Sequence, residues 1–232
     1  MATILSLVHS RSWTESRIDD LLAAAGHHVR TIYPADGDPI PTHLDDIDGV
    51  IIGGHLISPY LAHEHRHIAD ELDLIEQVLS AGLPYLGLCF GAQALATVVG
   101  GTIGPRPDDA AELGFYELTP TAAGAHVLRG LTHAFQSHYE ACLDVPPGAE
   151  LLARSDLFEV QAFRIGTSAF GFQFHLDTRA DMIPGWWEGN PHLHGRPGTH
   201  PLERQLVDAE TFDTSIDAWT RSFLDHWIGS NQ

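Results

Sequence analysis

Lysine is missing from the sequence altogether, so all 12 basic residues are arginines, set against 31 acidic ones for a formal charge of −19. Without lysine the chain can be neither a Walker-type nucleotide binder nor an enzyme working through a lysine Schiff base. A surface this acidic repels phosphate backbones and anionic lipid, so neither nucleic acid nor a membrane surface is an expected partner. Cysteine is almost as scarce: Cys89 and Cys142 are the only two, with no Cys-x-x-Cys pair, which argues against a disulfide framework and fits a reducing cytoplasm. Long apolar runs are lacking too. None reaches membrane-spanning length, and the short run at residues 4–8 has no basic leader of the kind a signal peptide carries. No Ser/Gly-rich or Pro-rich linker interrupts the 232 residues, so one domain over 1–232 is expected.

What is present reads first as alternating strands and helices. Residues 4–8 predict a buried strand. Ser12-Trp13-Thr14-Glu15 has capping-box spacing and predicts a helix through Leu21, Leu22 and Ala25 to Gly26. Strands are expected at 29–33 and at 49–52, the latter ending in Gly53-Gly54. Ile68, Leu72, Ile75 and Leu79 recur at helical spacing until Gly82-Leu83-Pro84. That order belongs to a parallel α/β sheet, in which ligands bind at the carboxyl ends of the strands. From Glu112 the pattern shifts to short strands at 113–119, 139–145, 151–154, 160–165 and 169–175, expected as an antiparallel layer added to the parallel sheet. Beyond Thr178 come the Trp186-Trp187 pair, a Gly/Pro/His-rich loop over 189–201, and a closing helix in which Ile216, Trp219, Phe223 and Trp227 face the core.

The stretch that carries chemistry is Leu86-Gly87-Leu88-Cys89-Phe90-Gly91-Ala92-Gln93, a buried strand running into a cysteine and turning at once into a helix. Glycines two positions before and after Cys89 are what a nucleophile elbow needs, because Cβ atoms there would collide where strand and helix cross. The helix N-terminus also favours a thiolate over a thiol. A thiol nucleophile requires a base held by a third group, and Phe174-His175-Leu176-Asp177 offers both at the end of a predicted strand.

Together, Gly87 to Gln93, Gly53-Gly54 after the third strand, and Gly171-Phe172-Gln173-Phe174-His175-Leu176-Asp177 resemble the triad-type class I glutamine amidotransferases. Phe135 to Glu140, Pro146-Pro147-Gly148-Ala149 and Gln161-Ala162-Phe163 share the likeness, which covers about residues 45–180, with 178–232 as a C-terminal helical extension. In length the chain is similar to stand-alone members, the GMP-synthase-like amidotransferases and γ-glutamyl peptidases. The resemblance implies a flavodoxin-like three-layer fold, with Cys89 as nucleophile, His175 as base and then acid, and Asp177 as orienting carboxylate. It makes the Gly54 and Phe90 N–H groups an oxyanion hole, and Gln93, Ser137, His138 and Tyr139 the substrate-binding residues. The implied reaction cleaves a γ-glutamyl amide through a glutamyl-thioester and needs no cofactor or metal. The implied partner is a small-molecule substrate, glutamine or a γ-glutamyl compound, and two outcomes stay open: a separate synthetase accepts the ammonia, or the enzyme simply removes a γ-glutamyl group from a small amine or peptide.

The chain departs from the family in three places. Asp177 stands in His175-Leu176-Asp177 where the family has His-Pro-Glu, Tyr139 replaces a glycine, and Gly53-Gly54-His55 lacks the usual proline. A non-catalytic binding module with the same fold is the alternative these changes leave open. Two histidine groups stand apart. His63 and His67 sit at i and i+4 near a helix start, with no third ligand at metal-site spacing, and His192, His194 and His200 fall in a loop.

Overall fold

The computed structural model describes residues 1–11 and 16–229. β1 (Thr3–Leu7), α1 (Arg17–Ala24), β2 (His28–Ile32), β3 (Gly49–Ile52), α2 (Arg66–Ala81), β4 (Tyr85–Leu88) and α3 (Phe90–Val98) form the α/β half. β5 (Ile103–Pro105), β6 (Glu112–Glu117), β7 (Thr119–Pro120), the single turn α4 (Gly124–Val127), β8 (His133–His138) and β9 (Glu140–Cys142) follow. Then come β10 (Ala149–Arg154), β11 (Ala162–Ile165), β12 (Ala169–Phe172), α5 (Ile183–Gly189) and α6 (Leu202–Gly229).

Eight strands make one mixed sheet in the order β2-β1-β3-β4-β12-β11-β10-β7, flavodoxin-like in its parallel half. β2, β1, β3, β4 and β12 are mutually parallel, and β11, β10 and β7 continue the sheet antiparallel. β3, β4 and β12 are buried at every residue because helices cover both sides, which is why they read as unbroken apolar runs. β2, at the edge, is mostly exposed or half-buried. The antiparallel strands thus divide: β10 to β12 extend the main sheet, while β6 pairs with β8 and β5 with β9 as separate ribbons. β5 and β8 have no counterpart among the expected strands.

The predicted capping box at Ser12 to Glu15 lies outside the described residues. The observed cap of α1 is Ser16, whose hydroxyl accepts the Asp19 N–H at 3.4 Å. α6 starts well before the aromatic stripe that announced it. Its Trp219 and Phe223 pack on Phe172, and Trp227 Nε1 lies 3.2 Å from the Ser168 carbonyl, so the helix is fixed to the sheet at its far end. Among the described residues no helix is long and apolar enough to cross a membrane.

Candidate active site

Cys89 is the single residue between β4 and α3, and its backbone is left-handed, with φ 49° and ψ −103°. Asp109 is the only other non-glycine residue at positive φ among the described residues. A backbone of this kind costs about 1–3 kcal/mol and persists only where the surroundings enforce it. Here the Cys89 N–H donates to the Phe172 carbonyl at 2.8 Å and its carbonyl receives the Gln93 N–H at 3.0 Å, so strand and helix each hold one end of the turn. The flanking glycines are required by space. A Cβ at Gly87 would lie 2.6 Å from the Ala92 nitrogen, and one at Gly91 would overlap the Ile52 carbonyl, 2.9 Å from its carbon.

The imidazole reaches the same place from the other half of the sheet. β12 ends at Phe172, short of the expected strand end, because the chain there exchanges partners: Gln173 N–H bonds the Gln161 carbonyl and His175 N–H the Phe135 carbonyl on β8, both at 2.8 Å. His175 is buried, with Nδ1 3.0 Å from Asp177 Oδ1. The short aspartate reaches the ring because Arg17 secures its segment. The Arg17 N–H donates to the Asp177 carbonyl at 2.9 Å, and its buried guanidinium donates to the Thr178 carbonyl at 2.6 Å while pairing with Asp213 and Asp217 on α6. Trp186, in α5, covers His175 with ring centroids 4.5 Å apart.

On its other side, Nε2 makes no hydrogen bond of good geometry and faces the Cys89 sulfur. Burial alone would push the His175 pKa down. The Asp177 charge and hydrogen bond, followed by Cys89, outweigh it and bring the ring to about 10, so the imidazole is held protonated at neutral pH. Cys142 shows the contrast: burial, assisted by the charge of Asp144, pushes its thiol up to about 12.

The family model described as glutamine amidotransferase class-I matches residues 12–181, well over half of the chain. The chain belongs to this family. Among curated relatives, the glutamine-hydrolyzing GMP synthase of Aeropyrum pernix is 39% identical over 189 residues, covering 77% of this chain and 34% of its own. That of Porphyromonas gingivalis is 34% identical over 148 residues, covering 62% of this chain and 27% of its own, so the chain spans about a quarter of that relative's length. In Sulfolobus acidocaldarius the relative is one subunit of a glutamine-hydrolyzing GMP synthase, 32% identical over 144 residues, 59% of this chain and 70% of its own. A solved glutamine amidotransferase from Thermotoga maritima superposes with a TM-score of 0.85 at 22% identity over 98% of both chains, which establishes the shared fold.

Within this amidotransferase frame the other expected site residues are placed as follows. Gly54 lies beside both members of the pair: a Cβ there would stand 2.9 Å from His175 Cε1 and 3.9 Å from Cys89 Cβ. Phe90 opens α3, so its N–H lies beyond the helix's own bonding ladder. Gln93 is buried and its Nε2 is committed, to the Glu140 carbonyl at 2.8 Å and to Gln173 Oε1 at 3.2 Å, rather than left for a ligand. Gln173 in turn places Nε2 3.5 Å from the Cys89 sulfur, a contact that sequence reasoning gave no role. His138 is turned to a buried polar group, with Nε2 3.1 Å from Glu112, which also receives Ser155 Oγ and Gln161 Nε2 at 2.6 Å each. The Ser137 hydroxyl is buried without a protein partner. Tyr139 packs under Arg196, whose guanidinium lies 4.6 Å above its ring, and against His192, so the residue replacing the family's glycine anchors the histidine-rich loop. His67 meets His55 with nitrogens 3.3 Å apart, and among the described residues no group of three or more ligands could hold a metal ion.

A cavity of about 400 Å³ adjoins the site, lined in part by Gly54, Asp177, Trp186 and Asp19. Burial, reinforced by the charge of Asp177, pushes the Asp19 pKa up to about 6 against the pull of its Ser6 hydrogen bond. A carboxyl whose folded pKa lies above its unfolded value, 3.8, costs stability when ionised: nothing below about pH 4, the full amount above about pH 6. Asp19→Asn keeps an oxygen for the Ser6 hydroxyl, turns an amide N–H toward the Thr31 hydroxyl oxygen, which can accept, and loses the charge. Denaturant unfolding is therefore expected to show a gain of up to about 3 kcal/mol at pH 8 that fades as the pH falls to about 4 and below.

Proposed function

We propose that this protein hydrolyses a γ-glutamyl amide through a glutamyl-thioester on Cys89. The observation that carries the reading is the Cys89 elbow closed by the His175–Asp177 pair. The Cys89 thiolate attacks the γ-carbonyl carbon, and charge moves to the carbonyl oxygen, where the Gly54 and Phe90 N–H groups would receive it. The tetrahedral adduct collapses as the His175 imidazolium gives its Nε2 proton to the departing nitrogen, releasing ammonia or an amine and leaving the thioester. Neutral His175 then takes a proton from water as that water attacks the thioester. Collapse expels the thiolate, frees glutamate and restores the ion pair. Asp177 fixes the ring's orientation and its charge throughout. No step calls for a metal or cofactor. Two free cysteines suit a reducing cytoplasm.

The cavity beside Gly54 and Asp177 favours one further reading, in which the departing group is an amine larger than ammonia, since ammonia needs no such space. Were ammonia the product, a separate synthetase would take it up, as the naming of the Sulfolobus relative suggests.

Glutamate release measured with glutamine and with γ-glutamyl amides of graded size tests both. Turnover is expected with at least one, and a kcat/KM that rises with amine size identifies the cavity as the leaving-group pocket. With His175 near 10, the alkaline limb of kcat/KM is expected close to pH 10, far above that of a free imidazole. No glutamate from any of them would leave the chain as a non-catalytic module.

A further inference from the structure

Just past the end of β1 lies a buried polar pair outside the set just described. His9 lies there with Nδ1 2.6 Å from the Gly54 carbonyl oxygen and Nε2 3.0 and 3.1 Å from the two carboxylate oxygens of Glu71 on α2. Both side chains are sealed, at 1% and 0% exposure. Acceptors face the ring on both sides, so a proton on Nδ1 points at the Gly54 carbonyl while Nε2 is held against the Glu71 carboxylate. A polar pair this deep has no solvent to turn to if it is broken, so it acts as a rigid strut between α2 and whatever it touches.

What it touches is the glycine next to the reacting atoms. Two peptide planes meet at Gly54. The one before it is held by the Gly91 N–H on the Gly53 carbonyl at 3.2 Å, and the one after it, among the described residues, by His9. Glycine has the widest backbone freedom of any residue, and Gly53-Gly54-His55 contains no proline, so no ring stiffens the turn. The next residue is tied down in the same way. His55, kept neutral by burial with its pKa lowered to about 3, accepts the Ile57 N–H on Nδ1 at 2.7 Å and turns Nε2 toward His67 on α2.

We infer that His9, locked by Glu71, is a positioning residue that fixes the Gly54 turn so that its N–H faces the carbonyl oxygen of a substrate on Cys89. This rests on the reading of Gly54 as an oxyanion donor.

His9→Gln places its amide where Nε2 was and keeps Glu71 while losing Gly54. His9→Asn places its amide where Nδ1 was and keeps Gly54. The expected result for His9→Gln is a kcat lower by about 10–10²-fold, with KM and the rate of Cys89 alkylation by iodoacetamide within about 3-fold of wild type. His9→Asn combined with Glu71→Gln, which removes the stranded charge, is expected to recover most of that loss. Equal kcat in the two variants, or alkylation falling in step with kcat, would overturn the inference. If the wild type turns over no γ-glutamyl amide, the functional reading fails by itself, and ¹⁵N relaxation at the Gly54 amide still decides the clamp. A quiet amide in wild type that broadens in His9→Gln supports it, and identical relaxation in both refutes it.

Discussion

Cys89→Ala is expected to lower glutamate release by at least about 10²-fold while the protein stays folded, since covalent catalysis disappears and the side chain shrinks by one atom at a nearly buried position. The variant keeps a Cβ, so the left-handed backbone is no more strained than before and the thermal midpoint should hardly move. A second effect separates this outcome from general damage. Cys89 is one of the groups holding His175 in its charged form, so without the sulfur the ring's pKa should fall from about 10, with Asp177 still resisting the pull of burial. An NMR titration of the His175 ring in the two proteins measures that fall. An unchanged titration would mean that sulfur and imidazole do not interact.

Gly91→Ala is expected to have a large effect on stability. The added methyl would meet the Ile52 carbonyl of β3, backbone in a fully buried strand that cannot move aside as a side-chain tip would. Overpacking of that kind costs about 3 kcal/mol or more, which for a chain of this size lowers the melting temperature by about 10 °C. Gly189→Ala is the control: it lies at the end of α5 with nothing within 4 Å of the added carbon and should melt with the wild type. Equal melting of the two variants would show that α3 does not cross β3 as closely as the elbow requires. Activity should fall with stability in Gly91→Ala, because the same crossing sets the backbone of Cys89.

The parts of the site that were legible in the sequence are those whose physical requirements are local. Gly87-Leu88-Cys89-Phe90-Gly91 announces a strand-to-helix crossing because glycines at those two offsets meet a steric demand within five residues. His175 and Asp177 were readable as a pair because they lie two apart after a run of apolar residues. The strand β8 was not, since His133-Ala134-Phe135-Gln136-Ser137-His138 buries polar side chains such as Gln136 and His138, which form hydrogen bonds inside, so no apolar alternation marks it. α6 was foreseen only over its aromatic half, because the stretch from Leu202 to Asp213 mixes charged residues with few apolar ones and is held by Arg17 and by the ribbon of β6 and β8. The His9–Glu71 strut spans 62 positions and leaves no periodic trace, nor do the bonds of the Gln93 amide nitrogen to Glu140 and Gln173.

The central claim is that one sulfur, Cys89, carries the glutamyl group. Incubating the protein with a glutamine-analogue electrophile and locating the added mass by peptide mass spectrometry tests it most directly. One equivalent on the peptide containing Cys89, none on Cys142, and protection by a γ-glutamyl substrate is the predicted result. An unlabelled Cys89, or label shared equally between the two cysteines, would contradict it.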